Sequence, residues 1–348
     1  MARIIPFKAL QYSKDQVPIQ DVVTQPYDKI SPEMQQRYYD LHPNNLVRIL
    51  RGKTESDGDR YTSVYSQAAY YLAEWRNRGI IGQIQKPSLF AYFQRFTMPG
   101  TGEIRTRKGL IGLCRLEDYA NQVVFPHERT LTKPKQDRLE LLRHTRTHFG
   151  QVFLMYSDPG QLVDRMLDEA SNDMADTIVR DEYDVEHSLW CISNPATIEA
   201  IQEAMAEERL LIADGHHRYE TALAFRDEMR REQSSAYTEG YEWLMTTMVN
   251  MESPGVSILP THRVVSNFPD YDFGDLIQRA GEYFDVSQTA DLRSLRTELE
   301  AQGSERPTMG ISSKGNNAFT VLKLKLGLDF SAILPSVSMR QAQLDVVI

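Results

Sequence analysis

The chain has 348 residues, a net charge of −9 and a hydrophobic fraction of 41%, which are ordinary values for a soluble globular protein with a sizeable core. The acid excess, with no long run of lysine or arginine, argues against nucleic acid as the main partner. The two cysteines, Cys114 and Cys191, exclude a disulfide framework and a zinc-binding spacing. Because no apolar leader and no apolar stretch of about 20 residues is present, we expect a cytoplasmic protein without a membrane span.

The first 80 residues predict short loops followed by two helices. Apolar pieces broken by prolines lead to Ser31, the expected N-cap of a helix whose first residue is Pro32. Over residues 61–80 apolar side chains recur at helical spacing, and Gly79 marks the expected end of that helix.

Strand-like and helical segments are interleaved through the middle of the chain. Apolar patterns predict strands at residues 88–96, 104–116, 151–157, 209–214 and 241–251, and two short strands around a turn at residues 177–193. Amphipathic spacing predicts helices at residues 135–149, 195–208 and 218–233.

The pattern of predicted strands and helices changes after residue 265. A strand at 284–288 is followed by a helix at 291–302 and a hairpin at 307–325. We therefore predict an α+β fold, with a mixed sheet and flanking helices over residues 1–265 and a small α+β subdomain over residues 266–348.

Five consecutive residues where a predicted strand meets a predicted helix combine four ionisable side chains with a glycine: Asp214, Gly215, His216, His217 and Arg218. The first turn of a helix offers backbone N–H groups and the positive end of its dipole to an anion. The glycine lets the backbone approach a ligand, and the aspartate can cap the helix. Arginine suits bidentate phosphate contact. The turn therefore predicts a phosphate site, although a capped helix with solvated side chains is the plainer interpretation.

A second dense segment spans residues 125–138. Its charged and ionisable members are His127, Glu128, Arg129, Lys133, Lys135, Asp137 and Arg138. We interpret Glu128 as a general base or magnesium ligand, and the cations as groups that balance phosphate charge. Leu131 stands where a second histidine would complete HExxH, which argues against a zinc protease. A solvated, charged loop is the alternative.

Two further pairs are candidate site residues. Tyr27 and Asp28 precede the start of the helix at Pro32. Asp28 can activate a hydroxyl or bind a metal, and the alternative is that it only caps or braces a turn. His262 and Arg263 follow a proline turn, from which we expect them to reach substrate in the same site. The P-loop, Rossmann and Gly-x-Ser-x-Gly motifs are absent from the sequence, so any nucleotide site is of another type.

The stretch ADGHHRYETAL resembles the hallmark of the domain of unknown function 1015 family. Further blocks match that family in order along nearly the whole chain: QPYDKIS, HPNNLVRI, YLAEWRNRGI, FPHERTLTKPKQDRLELL, VFLMYSD, HSLW and THRVV. The family continues past a segment like LDVVI into a further C-terminal block, whereas this sequence ends at residues 344–348. We therefore expect the second subdomain to be shorter than in the family.

The DGHHR turn also resembles, at a greater distance, the phosphate-binding turn of the ParB/sulfiredoxin-like superfamily, which includes free-serine kinases. This resemblance implies an elaborated ParB/sulfiredoxin-like core, with nucleotide phosphates held by Gly215, His216, His217 and Arg218. It also implies ATP or ADP and Mg²⁺ as cofactors and a small molecule as substrate.

The main functional hypothesis is a nucleotide-dependent kinase that phosphorylates a hydroxyl such as that of free serine. The catalytic candidates are Glu128, Asp28 and His216; phosphate is assigned to residues 214–218 with Lys133, Lys135 and Arg138. Substrate contacts are assigned to Tyr27, His127, His262 and Arg263. The alternatives are a phosphomonoesterase acting on a metabolite such as phosphoserine, a non-catalytic nucleotide-binding regulator, and an interaction protein without a small-molecule site.

Overall fold

The computed structural model describes residues 2–53, 63–127, 132–232, 240–259, 262–302, 306–315, 318–329 and 333, and for residues 132–134 and 302 it describes the backbone alone. The chain divides into two compact units, Met1–Leu259 and Pro260–Ile348. The sequence places this division six residues later, after residue 265.

The first unit is built on a nine-stranded mixed sheet. In chain order its strands are β1 (Ile4–Ile5), β4 (Leu89–Thr97), β5 (Ile104–Arg115), β6 (Val124–Phe125), β7 (Val152–Tyr156), β8 (Thr177–Arg180), β9 (Glu186–Ile192), β10 (Leu210–Asp214) and β11 (Trp243–Asn250). Two short strands, β2 (Leu10–Tyr12) and β3 (Ile81–Gln83), pair separately.

Across the sheet the strand order is β6-β10-β7-β11-β5-β4-β9-β8, and β1 pairs with β5. The pairs β6–β10 and β7–β11 are parallel, whereas the other neighbours are antiparallel. The predicted mixed sheet is confirmed.

Helices flank this sheet. They are α1 (Ile19–Val22), α2 (Pro32–Leu41), α3 (Val47–Leu50), α4 (Val64–Asn77), α5 (Thr132–Thr145), α6 (Leu162–Ala170), α7 (Pro195–Ala206) and α8 (His216–Glu232). Ser31 caps α2 as predicted, since its side chain accepts the Met34 N–H at 3.2 Å. Of the described helices, none has the length and apolar character needed to cross a membrane.

The two faces of the sheet differ because side chains alternate along each strand. On β4, Leu89, Ala91 and Phe93 join the main core, which includes apolar residues of α6 and α7. The intervening Tyr92 and Gln94 point to the opposite face, where they line a cavity. One face of the sheet is therefore covered by core, and the other carries the polar side chains on which a site can be built.

A second core joins the segments that wall this cavity. It contains Trp75, Leu72 and Ala68 of α4, with Leu141 of α5 and Ile49 of α3. Helix α5 ends four residues earlier than the predicted 149, because Arg146 adopts a left-handed backbone (φ 50°). The chain then turns back toward the sheet through residues 147–151, which also line the cavity.

The second unit is a small α+β subdomain, as predicted. Helices α9 (Phe273–Ala280) and α10 (Leu292–Gln302) accompany strands β12 (Phe284–Thr289), β13 (Thr308–Ile311) and β14 (Phe319–Leu324). The strands form an antiparallel sheet in the order β12-β14-β13. Leu295 of α10 packs on Gly310 of β13, where an added methyl group would meet the leucine at 2.8 Å. Helices α6 and α9 have no counterpart in the sequence prediction.

Candidate functional site

A cavity of about 1430 Å³ lies on the polar face of the large sheet. Its floor is formed by alternate residues of β4, β5, β7, β8, β9 and β11. Its walls come from residues 19–29, from α2 and α5, and from residues 147–151 and 180–185. Four predicted site residues line it: Tyr27, Arg138, Asp214 and Arg218.

Tyr27 joins two of the predicted cations at one end of this cavity. The Arg138 guanidinium lies 4.2 Å from the centre of the Tyr27 ring. Burial raises the pKa of Tyr27, while the charges of Arg138 and Arg218 lower it and that of Asp28 raises it. All three charged groups are therefore close enough to act on the Tyr27 hydroxyl. We call Tyr27, Arg138 and Arg218 the arginine cluster.

Local backbone geometry positions Arg218. Gly215 is left-handed (φ +92°), and an added methyl group there would meet the Arg218 guanidinium at 3.1 Å; one at Gly150 would meet its Cδ at 3.4 Å. The guanidinium donates to the Gln151 carbonyl and to the Asp214 carboxylate, the latter at 2.5 Å. Only glycine at 215 provides both the turn and the space.

The arginines of the cluster are more buried than the carboxylates that hold them. The Arg218 side chain is 16% exposed and Asp214 60%, and Arg138 is 12% exposed against 43% for Asp137. The carboxylates therefore remain largely hydrated. They orient the guanidiniums, which keep further donors for a ligand oxygen.

A smaller cavity of about 330 Å³ adjoins the arginine cluster and shares Tyr27 and Arg138 with it. Asp28 lines this second space with Arg51 and Asp137. The described structure thus places Asp28 beside the cluster, where its carboxylate can receive a proton or bind a cation.

The histidines of the predicted turn lie elsewhere. His216 is 3% exposed, and its Nε2 accepts the backbone N–H of His127 at 3.3 Å. The two rings meet edge to face at 4.6 Å. Lys135 pairs with Glu220 of α8 at 2.8 Å. His217 is half-buried in the first turn of α8. His127 lies before α5 and Lys135 lies within it, so these two contacts connect α5 and the segment before it to α8. The large cavity is lined by none of His127, Lys135, His216 and His217.

Other predicted residues are not placed in this site. The side chains of Glu128 and Lys133 lie outside the described residues. His262 and Arg263 belong to the second unit and are exposed. Their predicted roles stay predictions.

The structure adds a polar network that the sequence interpretation missed. The Tyr92 hydroxyl lies 2.6 Å from His187 Nδ1, and His187 Nε2 lies 3.2 Å from Asp181 Oδ2. Gln94 Oε1 accepts from Nε and Nη2 of Arg107, at 2.9 and 2.6 Å. All five side chains line the large cavity. We call them the Arg107 network. A sequence signal was present, because Arg107 shares one face of a predicted strand with Gly109 and Ile111.

The cavity environment shifts the pKa of several of these groups. Burial raises the pKa of Tyr92 to about 12 and lowers the pKa of Arg107. Burial opposes ionisation of Asp181, but hydrogen bonds from the Val185 N–H and from His187 hold the pKa of its carboxyl below the usual range. At neutral pH the tyrosine therefore stays protonated, and the aspartate accepts hydrogen bonds as a carboxylate.

His148 should make the protein less stable in mild acid. Burial lowers its pKa from 6.5 to about 4, so the unfolded chain takes up a proton in this pH range and the folded chain does not. Stability is then complete above pH 6.5 and is lost as the pH falls toward 4, by at most about 3 kcal/mol from this group. We expect His148→Gln to flatten this part of the profile of unfolding free energy against pH.

The matched control for this prediction is His144→Gln. His144 precedes His148 by four residues, but it is exposed and lies beside Glu140. Trp75, Trp190 and Trp243 are the three tryptophans of the chain and all lie in the first unit, so their fluorescence in urea reports its unfolding. The prediction would be contradicted if the free energy of unfolding changed equally with pH, between pH 6.5 and 4, in the wild type and in His148→Gln.

The described residues contain no group of three or more His, Cys, Asp or Glu side chains arranged to hold a metal ion.

The chain was compared with protein-family models, curated proteins and solved structures. A family model described as "Protein of unknown function (DUF1015)" matches residues 4–347. No curated protein and no solved structure matches the chain.

Proposed function

The chain belongs to the DUF1015 family, and we propose that it is a nucleotide-dependent phosphotransferase, a small-molecule kinase acting on a hydroxyl such as that of free serine. The observation that carries this proposal is the arginine cluster in one large cavity. Two half-buried guanidiniums line this cavity. That of Arg138 lies against the Tyr27 ring, and that of Arg218 is held at the strand-to-helix turn that contains Gly215.

The arrangement suits a phosphate chain. Arginine presents a planar fork of donors that matches phosphate oxygens, and half-burial strengthens such contacts by excluding water. Phosphoryl transfer depends mainly on positioning and on stabilising negative charge, which is what fixed guanidiniums supply. The resemblance of DGHHR to the phosphate-binding turn of the ParB/sulfiredoxin-like superfamily supports the same assignment.

The size of the cavity favours two substrates. Sites for single small ligands have volumes of roughly 300–1,000 Å³, whereas this one is about 1430 Å³. A nucleotide with its phosphates on the arginine cluster would leave room for an acceptor on the same sheet face. The net charge of −9 fits a small-molecule enzyme of the cytoplasm better than a nucleic-acid binder.

The carboxylates beside the cluster fit the proposed Mg²⁺. Asp28 and Asp214 border it, and Mg²⁺ bound with ATP or ADP uses one or two carboxylates together with phosphate oxygens. The ion would neutralise negative charge on the phosphates. Asp28 or Glu128 would accept the proton of the acceptor hydroxyl, whereas His216 is buried against His127 and does not line the cavity.

The test detects the reaction product by phosphorus NMR. The full chain is incubated with Mg²⁺, L-serine and ATP or ADP, beside the Arg218→Ala variant. A phosphoserine signal that the variant lacks is the expected result. Unchanged nucleotide in every mixture would contradict a serine kinase, and release of inorganic phosphate from added phosphoserine would indicate a phosphomonoesterase instead.

A further inference from the structure

The Arg107 network lies on one row of the sheet. His187 of β9 pairs with Gln94 of β4, and Gln94 pairs with Arg107 of β5. Directly paired residues of neighbouring strands face the same side of a sheet, so these three side chains stand next to one another on the cavity floor. Tyr92 occupies the next position of β4 on that face.

Arg107 forms no ion pair with a carboxylate within the described residues. Its hydrogen bonds go to the neutral amide of Gln94, and its Nη1 makes none to any described residue. The guanidinium also makes a cation–π contact with Phe153, whose ring centre lies 5.2 Å away. A partly desolvated cation of this kind is stabilised by an anion, and its planar fork suits a carboxylate.

Tyr92 presents the complementary group. In the neutral His187 ring, Nε2–H donates to the Asp181 carboxylate, so Nδ1 is the acceptor for the Tyr92 hydroxyl proton. The Tyr92 oxygen then keeps lone pairs for a donor in the cavity. The Arg107 guanidinium, a donor, and the Tyr92 oxygen, an acceptor, therefore lie side by side on the cavity floor.

Thr247 of β11 packs over Gly109, which pairs with Tyr92 and lies two residues from Arg107 on the same face. A methyl group added at Gly109 would meet Thr247 Cγ2 at 2.8 Å. The glycine therefore lets Thr247, which also lines the cavity, lie close to this strand.

We infer that the Arg107 network is a second ligand subsite of this cavity, which binds a small hydroxy- or amino-carboxylate. The carboxylate contacts Arg107, and a hydroxyl or ammonium hydrogen of the ligand contacts the Tyr92 oxygen. The inference rests on the proposed phosphotransferase, because it names the chemical class of the acceptor. Binding itself requires neither nucleotide nor transfer.

The test is therefore direct binding to the full chain without nucleotide or Mg²⁺, by calorimetry or saturation-transfer NMR. The probes are L-serine and D-glycerate, their neutral counterparts L-serinamide and glycerol, and inorganic phosphate. We expect the carboxylates to bind at least about tenfold more tightly than the neutral probes, and Arg107→Gln to remove that difference.

Arg95→Gln is the matched control, because Arg95 is exposed and follows Gln94 on β4, so its side chain lies on the opposite face of the sheet. Arg107→Lys keeps the charge without the fork and should also weaken carboxylate binding if Arg107→Gln fails to fold. Tryptophan fluorescence in urea verifies folding of each variant.

Three results would overturn the inference: carboxylates that bind no better than neutral probes, a preference that Arg107→Gln retains, or Arg107-dependent binding of phosphate alone. Phosphoryl transfer without Arg107-dependent binding would remove only this subsite. Carboxylate binding without transfer to any probe would keep the subsite and remove the proposed kinase.

Discussion

Arg218→Ala is expected to lower the rate of phosphoryl transfer by a factor of about 10²–10³, the usual effect of removing one fixed donor to transition-state charge. Its guanidinium is held by the Gln151 carbonyl and by Asp214, so it is oriented before any ligand binds. The measurement is kcat with saturating nucleotide, together with nucleotide affinity. Because phosphates are charged before and during transfer, we expect affinity to fall as well.

The fold should survive this substitution. The Asp214 partner is 60% exposed and becomes hydrated when the arginine is removed, so the lost ion pair costs about 1 kcal/mol or less. Arg231→Ala is the control on the same helix, because Arg231 is exposed and donates only to the carbonyl of Asp227 among the described residues. A variant that unfolds like the wild type yet retains more than about a tenth of its rate would contradict a role in transfer.

The members of the arginine cluster could be recognised as candidates because the signals for each are local. Gly215 and Arg218 belong to one short turn, and the strand before and the helix after have clear periodicity. Tyr27 and Arg138 were also recognised as candidates, each from the chemistry of its own segment. That they meet at one end of a cavity depends on the path of α5 over the sheet, which no local pattern specifies.

The Arg107 network was missed because strand pairing creates it. His187 and Gln94 are 93 residues apart, and their contact follows from the register of β4 against β9. A one-residue slip in that register would point one of them away from the cavity. His216 shows the opposite difficulty: the turn was recognised, but helix geometry directs this side chain into a buried contact with His127.

Gly255→Ala is expected to destabilise the first unit by about 3 kcal/mol or more, because the contact it creates is with backbone. A methyl group at this position would lie 1.9 Å from the Thr106 carbonyl oxygen of β5. Flexible side chains can move aside, but the carbonyl of a central strand cannot. The measurement is the free energy of unfolding in urea, followed by tryptophan fluorescence.

This contact matters for the cavity as well as for the fold. Gly255 lies in the segment after β11, from which Ser257 accepts a hydrogen bond from Arg105 and Leu259 lines the cavity. The alanine variant can lose global stability, or the segment can move off β5. Gly255 lies inside the turn that the hydrogen bond from the Val256 N–H to the Ser253 carbonyl closes, 3.0 Å long. A changed backbone at residue 255 would open this turn, so faster hydrogen exchange at Val256 is the second readout.

Gly82→Ala separates this effect from a general loss of glycine. An added methyl group at Gly82 has no described atom within 4 Å, and replacing glycine in a strand typically stabilises by roughly 0.5–1 kcal/mol. The two alanine substitutions should therefore change the free energy of unfolding in opposite directions. An unfolding free energy and a Val256 exchange rate that Gly255→Ala leaves unchanged would show that β5 and the segment after β11 do not pack as closely as described, and the wall of the cavity at Leu259 would have to be placed differently.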